Sequence, residues 1–275
     1  MQKLLSIVIA NYNYGRFLES AISSVTQQDG FEDCELIIVD GGSTDNSVEI
    51  IRNHSTEITW WVSEKDSGQS EAFNKGFSHA TGKYLTWLNA DDILHPGALA
   101  PIIKNLKNNP RCDWFTGNFY RFTQDGAIAE IGWGPHCYPE FLQRKNSPLV
   151  IFGPTSFFSK EIYERYGRID EKLHYIMDND LWQRFIVAGI KQRRIPNLCW
   201  GFRMHEDSKT AEYGSHVVSR TTAEKMHAES IYSLNKTGYR ASKLIYYAIL
   251  LFRCLDGSLI KRFWLQLTFK KVEEK

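Results

Sequence analysis

Within the first 110 residues an apolar run of strand length gives way four times to a polar loop and then to a helical pattern. No other feature constrains the fold as much. The strand-like runs lie at 4–10, 35–39, 59–63 and 84–88, and the helical patterns at 17–28, 46–53, 70–80 and 97–107. Repeated strand and helix units build right-handed βαβ crossovers, so the spacing predicts an α/β fold with a mostly parallel sheet. In such a sheet the loops leaving the C-terminal strand ends gather on one edge, where ligands bind. After Pro110 the pattern changes: 114–122 is strand-like, Asp125-Gly126 reads as a turn and 127–132 as its return, giving a second half of α+β character.

Two of the predicted strand ends carry polar residues suited to ligand chemistry. In LTWLNADD, residues 85–92, an apolar run breaks directly into Asn89, Asp91 and Asp92. Hard oxygen ligands at a strand end can share a divalent cation with substrate phosphates. Alternatively, the two aspartates cap a helix beginning near Pro96. In VDGGSTDNS, residues 39–47, Asp40 ends the strand, the glycines permit a tight turn, and Ser43 or Asp45 can cap the next helix. Asp40 could also accept a hydrogen bond from a nucleotide's ring N–H or hydroxyl. These glycines do not form G-x-G-x-x-G, which argues against a nicotinamide or flavin enzyme.

The charge balance, 33 basic against 32 acidic residues, gives +1 and no global field that would attract nucleic acid. Five widely spaced cysteines without a C-x-x-C pair predict reduced, cytoplasmic usage. Residues 4–9 are too short an apolar run for a secretory signal, and 244–252 too short to span a bilayer. The latter is flanked by Lys236, Arg240, Lys243, Arg253, Lys261, Arg262, Lys270 and Lys271. Basic residues around an aromatic, apolar segment suit a helix lying on an anionic membrane surface. The same helix could instead pack on its own domain or on a second subunit.

Taken in order, SIVIANYNYGRFLESAISSVTQQ, LIIVDGGSTDNS and EKDSGQSEAFNKGFSHATGKYLTWLNADD resemble the nucleotide-sugar-binding half of family 2 glycosyltransferases. The resemblance covers residues 4–205. It implies a GT-A (nucleotide-diphospho-sugar transferase) fold: a mostly parallel central sheet flanked by helices. Within it, 1–110 would be the nucleotide-sugar-binding half, 111–215 the acceptor-binding half, and 216–275 a C-terminal helical extension. The implied activity is inverting and metal-dependent, using Mn2+ or Mg2+. One sugar would pass from a nucleoside-diphosphate sugar, with UDP-sugars favoured, to a hydroxyl of a glycan or lipid-linked acceptor. This would serve cell-surface polysaccharide or glycan synthesis at the cytoplasmic, inner face of the plasma membrane.

Carried over by residue, the resemblance sets Asn11 and Tyr12 beside the base, with Tyr12 stacking on it and Asp40 on its imide N–H. Asp66 matches a position near the nucleotide or donor sugar, or is a turn residue. The family's D-x-D here begins with Asn89, which would bond a ribose hydroxyl. Asp91 becomes the principal metal ligand, and Asp92 either a second ligand or a helix cap. YIMDNDLWQRF, residues 175–185, resembles the family's E-D-x-D-L-W-x-R segment with Met177 replacing the glutamate. Asp178 then falls on the base position, with Asp180 as the alternative. A helix dipole would lower the Asp178 pKa and apolar neighbours such as Met177 or Trp182 would raise it; the sequence leaves that open. In WGFRMHEDSKT, residues 200–210, His205 matches a late metal or diphosphate contact, with Arg203 and Lys209 adding positive charge. Gly153, Pro154 and Thr155 resemble a turn beside the acceptor.

The Q-x-x-R-W signature of processive synthases is missing from the chain, which predicts one sugar per encounter. Two other classes compete. A non-catalytic nucleotide-sugar-binding module would lack a base such as Asp178. A sugar nucleotidyltransferase would want a basic, glycine-rich loop where this chain has NYNYGRF.

Overall fold

The computed structural model describes residues 3–132, 143–145, 155–206 and 220–255. The four expected strands form: β1 (Leu5–Asn11), β2 (Cys34–Asp40), β3 (Trp60–Ser63) and β4 (Tyr84–Asn89), all mutually parallel in the order β3-β2-β1-β4. Every residue of β1 and β2 is buried, because helices cover both faces. Ile7 and Ile9 point into a layer with α1 (Gly15–Thr26), α2 (Ser47–Asn53) and α4 (Leu99–Asn108). Val8 points the other way, toward α3 (Gln69–His79). There Gly76 permits close approach: a Cβ at that position would lie 2.3 Å from Val8 Cγ1.

Past β4 the sheet turns antiparallel. The two-residue β5 (Ile93–Leu94) precedes α4; then come β6 (Trp114–Thr123) and β7 (Ile128–Gly132), joined through Gly126 at φ +88° as the Asp-Gly turn predicts. β8 (Ser156–Ser159) lies between β4 and β6, while β9 (Gln192–Met204) runs parallel to β6 and also pairs β5. This 13-residue strand is absent from the sequence expectation. Its apolar residues are interrupted by Arg193, Arg194, Pro196 and Asn197, which blur the strand pattern.

Helices α5 (Lys160–Tyr166) and α6 (Met177–Val187) join α3 on the second face. Trp182 of α6 stacks on Trp87 of β4 at 5.4 Å and on Trp114 of β6 at 5.6 Å, pinning the helix to the centre of the sheet. Two more helices follow, α7 (Arg220–Thr237) and α8 (Lys243–Leu255).

The helix-cap reading of the 91–92 aspartates does not hold. β5 intervenes, α4 starts only at Leu99, and its N-cap residue, Ala98, makes no side-chain cap. Gly153, Pro154, Lys209 and residues 256–275 lie outside the described residues; Thr155 is described and fully buried.

Candidate active site

The parallel register aligns three polar side chains along one edge: Asn11 of β1 stands opposite Asp40 of β2, which stands opposite Ser63 of β3. Asn89 of β4 stands opposite Ala10. The strands are added on one side of β1 as far as β3 and then on the other side with β4, so strand order reverses here and this edge is a topological switch point, the usual crevice for a ligand in an open α/β sheet.

Asp40 is fully buried and accepts four hydrogen bonds. Asn11 Nδ2 (2.7 Å) and Ser43 Oγ (2.5 Å) donate to Oδ1, and the Ser43 N–H (2.9 Å) and Ser63 Oγ (2.6 Å) to Oδ2. The carboxylate therefore organises the loop after β2. The Asn11 Oδ1 is buried without a hydrogen-bond partner. Tyr12, by contrast, is 62% exposed just beyond the strand. Asp66 faces this loop: a Cβ on Gly41 would sit 3.0 Å from its Oδ2. Burial raises the Asp66 carboxyl above its usual range, against the Gly68 N–H that donates to it at 2.9 Å; the negative charges of Glu71 and Asp40 raise it further.

The loop after β4 divides its two aspartates. Asp92 turns inward and is buried, with Asn89 Nδ2 donating to Oδ2 at 2.8 Å and the Arg203 N–H to Oδ1 at 3.1 Å. Burial, reinforced by Asp91 next door, pushes its carboxyl well above the ordinary value. A carboxylate so enclosed clamps β4 to β9. Asp91 is partly open and its Oδ2 lies 3.0 Å from His205 Nε2. The buried His205 ring packs against Phe17 at 4.7 Å and edge-on to Tyr14 at 5.6 Å. The family resemblance sets both residues by the metal; β9, returning beside β6 and β5, brings them together.

Arg203 is held by the same loop. Its Nε donates to the Asp91 carbonyl at 3.0 Å, and its guanidinium stacks over Phe122 (4.6 Å) and Phe17 (5.0 Å). Burial lowers its pKa. The side chain braces the loop that carries Asp91.

Asp178 and Asp180 sit in the first turn of α6, and neither caps it, since the N-cap Ile176 has no side-chain cap bond. Asp178 accepts the Asn179 N–H at 2.7 Å. Burial raises its carboxyl to about 6, overriding the backbone N–H groups of Asn179 and Asp178 that pull it down. Asp180 is fully buried on the other side: Arg184 Nε (2.9 Å), Lys236 Nζ (3.1 Å) and Ser233 Oγ (2.9 Å) all reach it. These contacts join α6 to α7 through Asp180. Asp178 is tied to the donor edge through two neighbours. Ser70 Oγ donates to the Leu173 carbonyl (2.8 Å) and to Met177 Sδ (3.0 Å), and the adjacent Gln69 Nε2 donates to Asn89 Oδ1 at 2.6 Å. Gln69 and Ser63 join the candidate site and were missed by motif reading; Gln69 sits directly behind the D-S-G turn.

Asp91 and His205 offer a hard carboxylate oxygen and an imidazole nitrogen side by side, a set that fits Mn2+ or Mg2+ when phosphate oxygens complete the shell. Among the described residues no cluster of three or more His, Cys, Asp or Glu side chains could hold a metal by itself.

A mixed sheet with a ligand edge at the β1–β4 reversal is the GT-A glycosyltransferase architecture, and solved structures share it. One is the mannosyltransferase PcManGT from Pyrobaculum calidifontis in complex with GDP-Man and Mn2+, with TM-score 0.57 and 16% identity over 98% of this chain and 85% of that one. Another is S. aureus TarS 1–349 in complex with UDP-GlcNAc, with TM-score 0.59 and 14% identity over 84% of this chain and 67% of that one. In sequence, the glycosyl transferase family 2 profile matches residues 6–167, more than half of the chain, and the chain belongs to that family. An uncharacterized glycosyltransferase of Nostoc sp. is 41% identical over 103 residues, 36% of this chain. The chain spans well under two thirds of the first curated relatives it matches, 32% in the Nostoc case and 58% in two others.

Proposed function

We propose that this chain is an inverting glycosyltransferase that moves one sugar from a nucleoside-diphosphate sugar, a UDP-sugar first, to a hydroxyl of a glycan or lipid-linked acceptor. The observation that carries this reading is the pairing of a prepared edge with a raised carboxyl. Asn11, Asp40 and the Asp91–His205 pair line one side, and Asp178 stands in the first turn of a helix tied to that edge through Ser70 and Gln69.

Tyr12, exposed at the end of β1, stacks on the base, a contact of about 1–3 kcal/mol in nucleic-acid complexes. Asp40 holds the loop that receives the base, and Asn11 presents its unpartnered Oδ1 to it. Asp66 borders the nucleotide and donor sugar. Asn89, held between Gln69 and Asp92, keeps the β4 turn open toward the ribose. Asp91 and His205 would hold Mn2+ or Mg2+, which when bound neutralises charge on the diphosphate leaving group.

On the opposite face of the sugar, Asp178 takes the proton of the acceptor hydroxyl as that oxygen attacks the anomeric carbon. A carboxylate with pKa about 6 is ionised at neutral pH yet holds a proton better than an ordinary aspartate, which is what a general base requires. A nucleotidyltransferase would need no such base on the acceptor side, and a binding module no base at all.

The C-terminal helix supports a membrane-linked acceptor. On α8, Leu244, Tyr247 and Leu251 are exposed at helical spacing beside Lys243. No helix among the described residues is long and apolar enough to cross a membrane. The test is a panel of UDP-, GDP- and dTDP-sugars, scored for released nucleoside diphosphate with and without Mn2+. Manganese-dependent release of diphosphate supports the reading. Pyrophosphate release in a parallel assay with nucleoside triphosphate and sugar 1-phosphate, or binding of every nucleotide sugar without turnover, would overturn it.

A further inference from the structure

The chain leading into α6 is held from two sides. From the donor half, Ser70 Oγ grips the Leu173 carbonyl. From the C-terminal helix α7, Glu229 accepts three successive backbone N–H groups: His174 at 3.0 Å on Oε1, then Tyr175 at 2.9 Å and Ile176 at 3.2 Å on Oε2. Consecutive N–H groups converging on one anion form a nest, and charge-assisted bonds of this kind are the stronger ones. Asp178 follows two residues after the last of them. The N-cap Ile176 supplies no side-chain cap of its own, so the entry to this helix is fixed by a residue more than fifty positions away in sequence.

The surrounding charges are otherwise engaged. Lys236 pairs with Asp170 and Asp180, and Arg184 with Asp180. We propose that Glu229 is a positioning residue for transfer: its carboxylate fixes residues 174–176 and thereby sets where the Asp178 carboxylate meets the acceptor hydroxyl. This rests on the reading of Asp178 as the base. It also gives α7, which lies beyond the residues matched by the family profile, a part in turnover.

The chemistry of the nest makes the test specific. Glu229→Gln keeps the volume, yet its amide cannot accept at both positions, because its NH2 would face N–H groups. Ser233→Ala removes a bond from the same helix to Asp180 and leaves 174–176 untouched. With the donor on which the intact chain turns over, E229Q is expected to lower kcat about 10- to 100-fold, the scale of a small misplacement of a reacting group. Donor KM should stay level, and amide hydrogen exchange at 174–176 should quicken. E229D, which keeps the charge, should recover part of kcat, and S233A should keep it. Unchanged kcat in E229Q, or an equal loss in S233A at matched thermal stability, would overturn the proposal. Full turnover in Asp178→Asn would instead remove the base reading beneath it, a result separable because it leaves the exchange at 174–176 as in the wild type.

Discussion

The turn after β4 and the first turn of α6 each carry two aspartates, and in each the second is locked while the first is left available. Asp92 is clamped by Asn89 and Arg203, and Asp180 by Arg184, Lys236 and Ser233. The available members differ in company. Asp91 stands against an imidazole, His205; among the described residues Asp178 accepts a backbone N–H, and desolvation raises it to about 6. A carboxylate beside an imidazole is arranged to share a cation, and a carboxylate raised by desolvation is arranged to take a proton. The fold thus makes two tools from one residue type by choosing the neighbours.

The sharpest way to break this comparison is to remove the proton-taking member. Asp178→Asn should retain nucleotide binding and lose about 10²- to 10⁴-fold in kcat, the usual worth of a positioned base. Initial rates at saturating donor, with calorimetry for binding, check both halves. In the wild type the acid limb of kcat should fall near pH 6, where Asp178 protonates. A limb near 4 would mean that burial does not set its role.

The locked partner predicts a different kind of damage. Asp180→Ala leaves Arg184 and Lys236 without their shared anion in a buried setting, and breaking such pairs costs about 3–5 kcal/mol of stability. Urea melts should register that loss while turnover per folded molecule changes far less than in D178N. If instead D180A melts like the wild type and loses turnover, the two aspartates have exchanged roles.

Strand periodicity reports where a strand ends, and Asn11, Asp40 and Asn89 end theirs; that these ends would face a donor came from the family resemblance. The direction a loop carboxylate takes is not a local property. Asp91 and Asp92 are adjacent, and what separates them is Arg203 at the end of β9 and His205 just past it, more than a hundred residues later. The same holds for α6, where dipole and burial oppose each other and burial in the folded chain decides. Glu229 had no motif at all, since its partners are backbone groups, which every residue carries.

Asp91→Ala tests the cation-sharing member. With manganese present, donor affinity should fall about 10- to 100-fold by calorimetry, the order that support of a metal site commands. Without manganese, the mutant and wild type should converge. Unchanged manganese-dependent affinity would move the cation off Asp91 and leave its contact with His205 as packing.

The smallest expected effect separates the two available aspartates by stability. In the folded chain Asp178 binds its proton more tightly than in the unfolded one, about 6 against an ordinary 3.8. Between those values the folded state holds more protons, so stability falls as pH rises from about 4 to about 6 and stays lower above. Asp178→Asn removes that penalty. It should melt higher than the wild type at pH 7.5, by an amount worth about 1–3 kcal/mol once partial exposure is allowed for, and the gain should vanish near pH 4. The mutant would then be the more stable and the less active protein, as expected when a site keeps a desolvated carboxylate for function. A gain that persists at pH 4 would trace to packing of the amide, and the raised carboxyl would no longer distinguish α6 from the β4 turn.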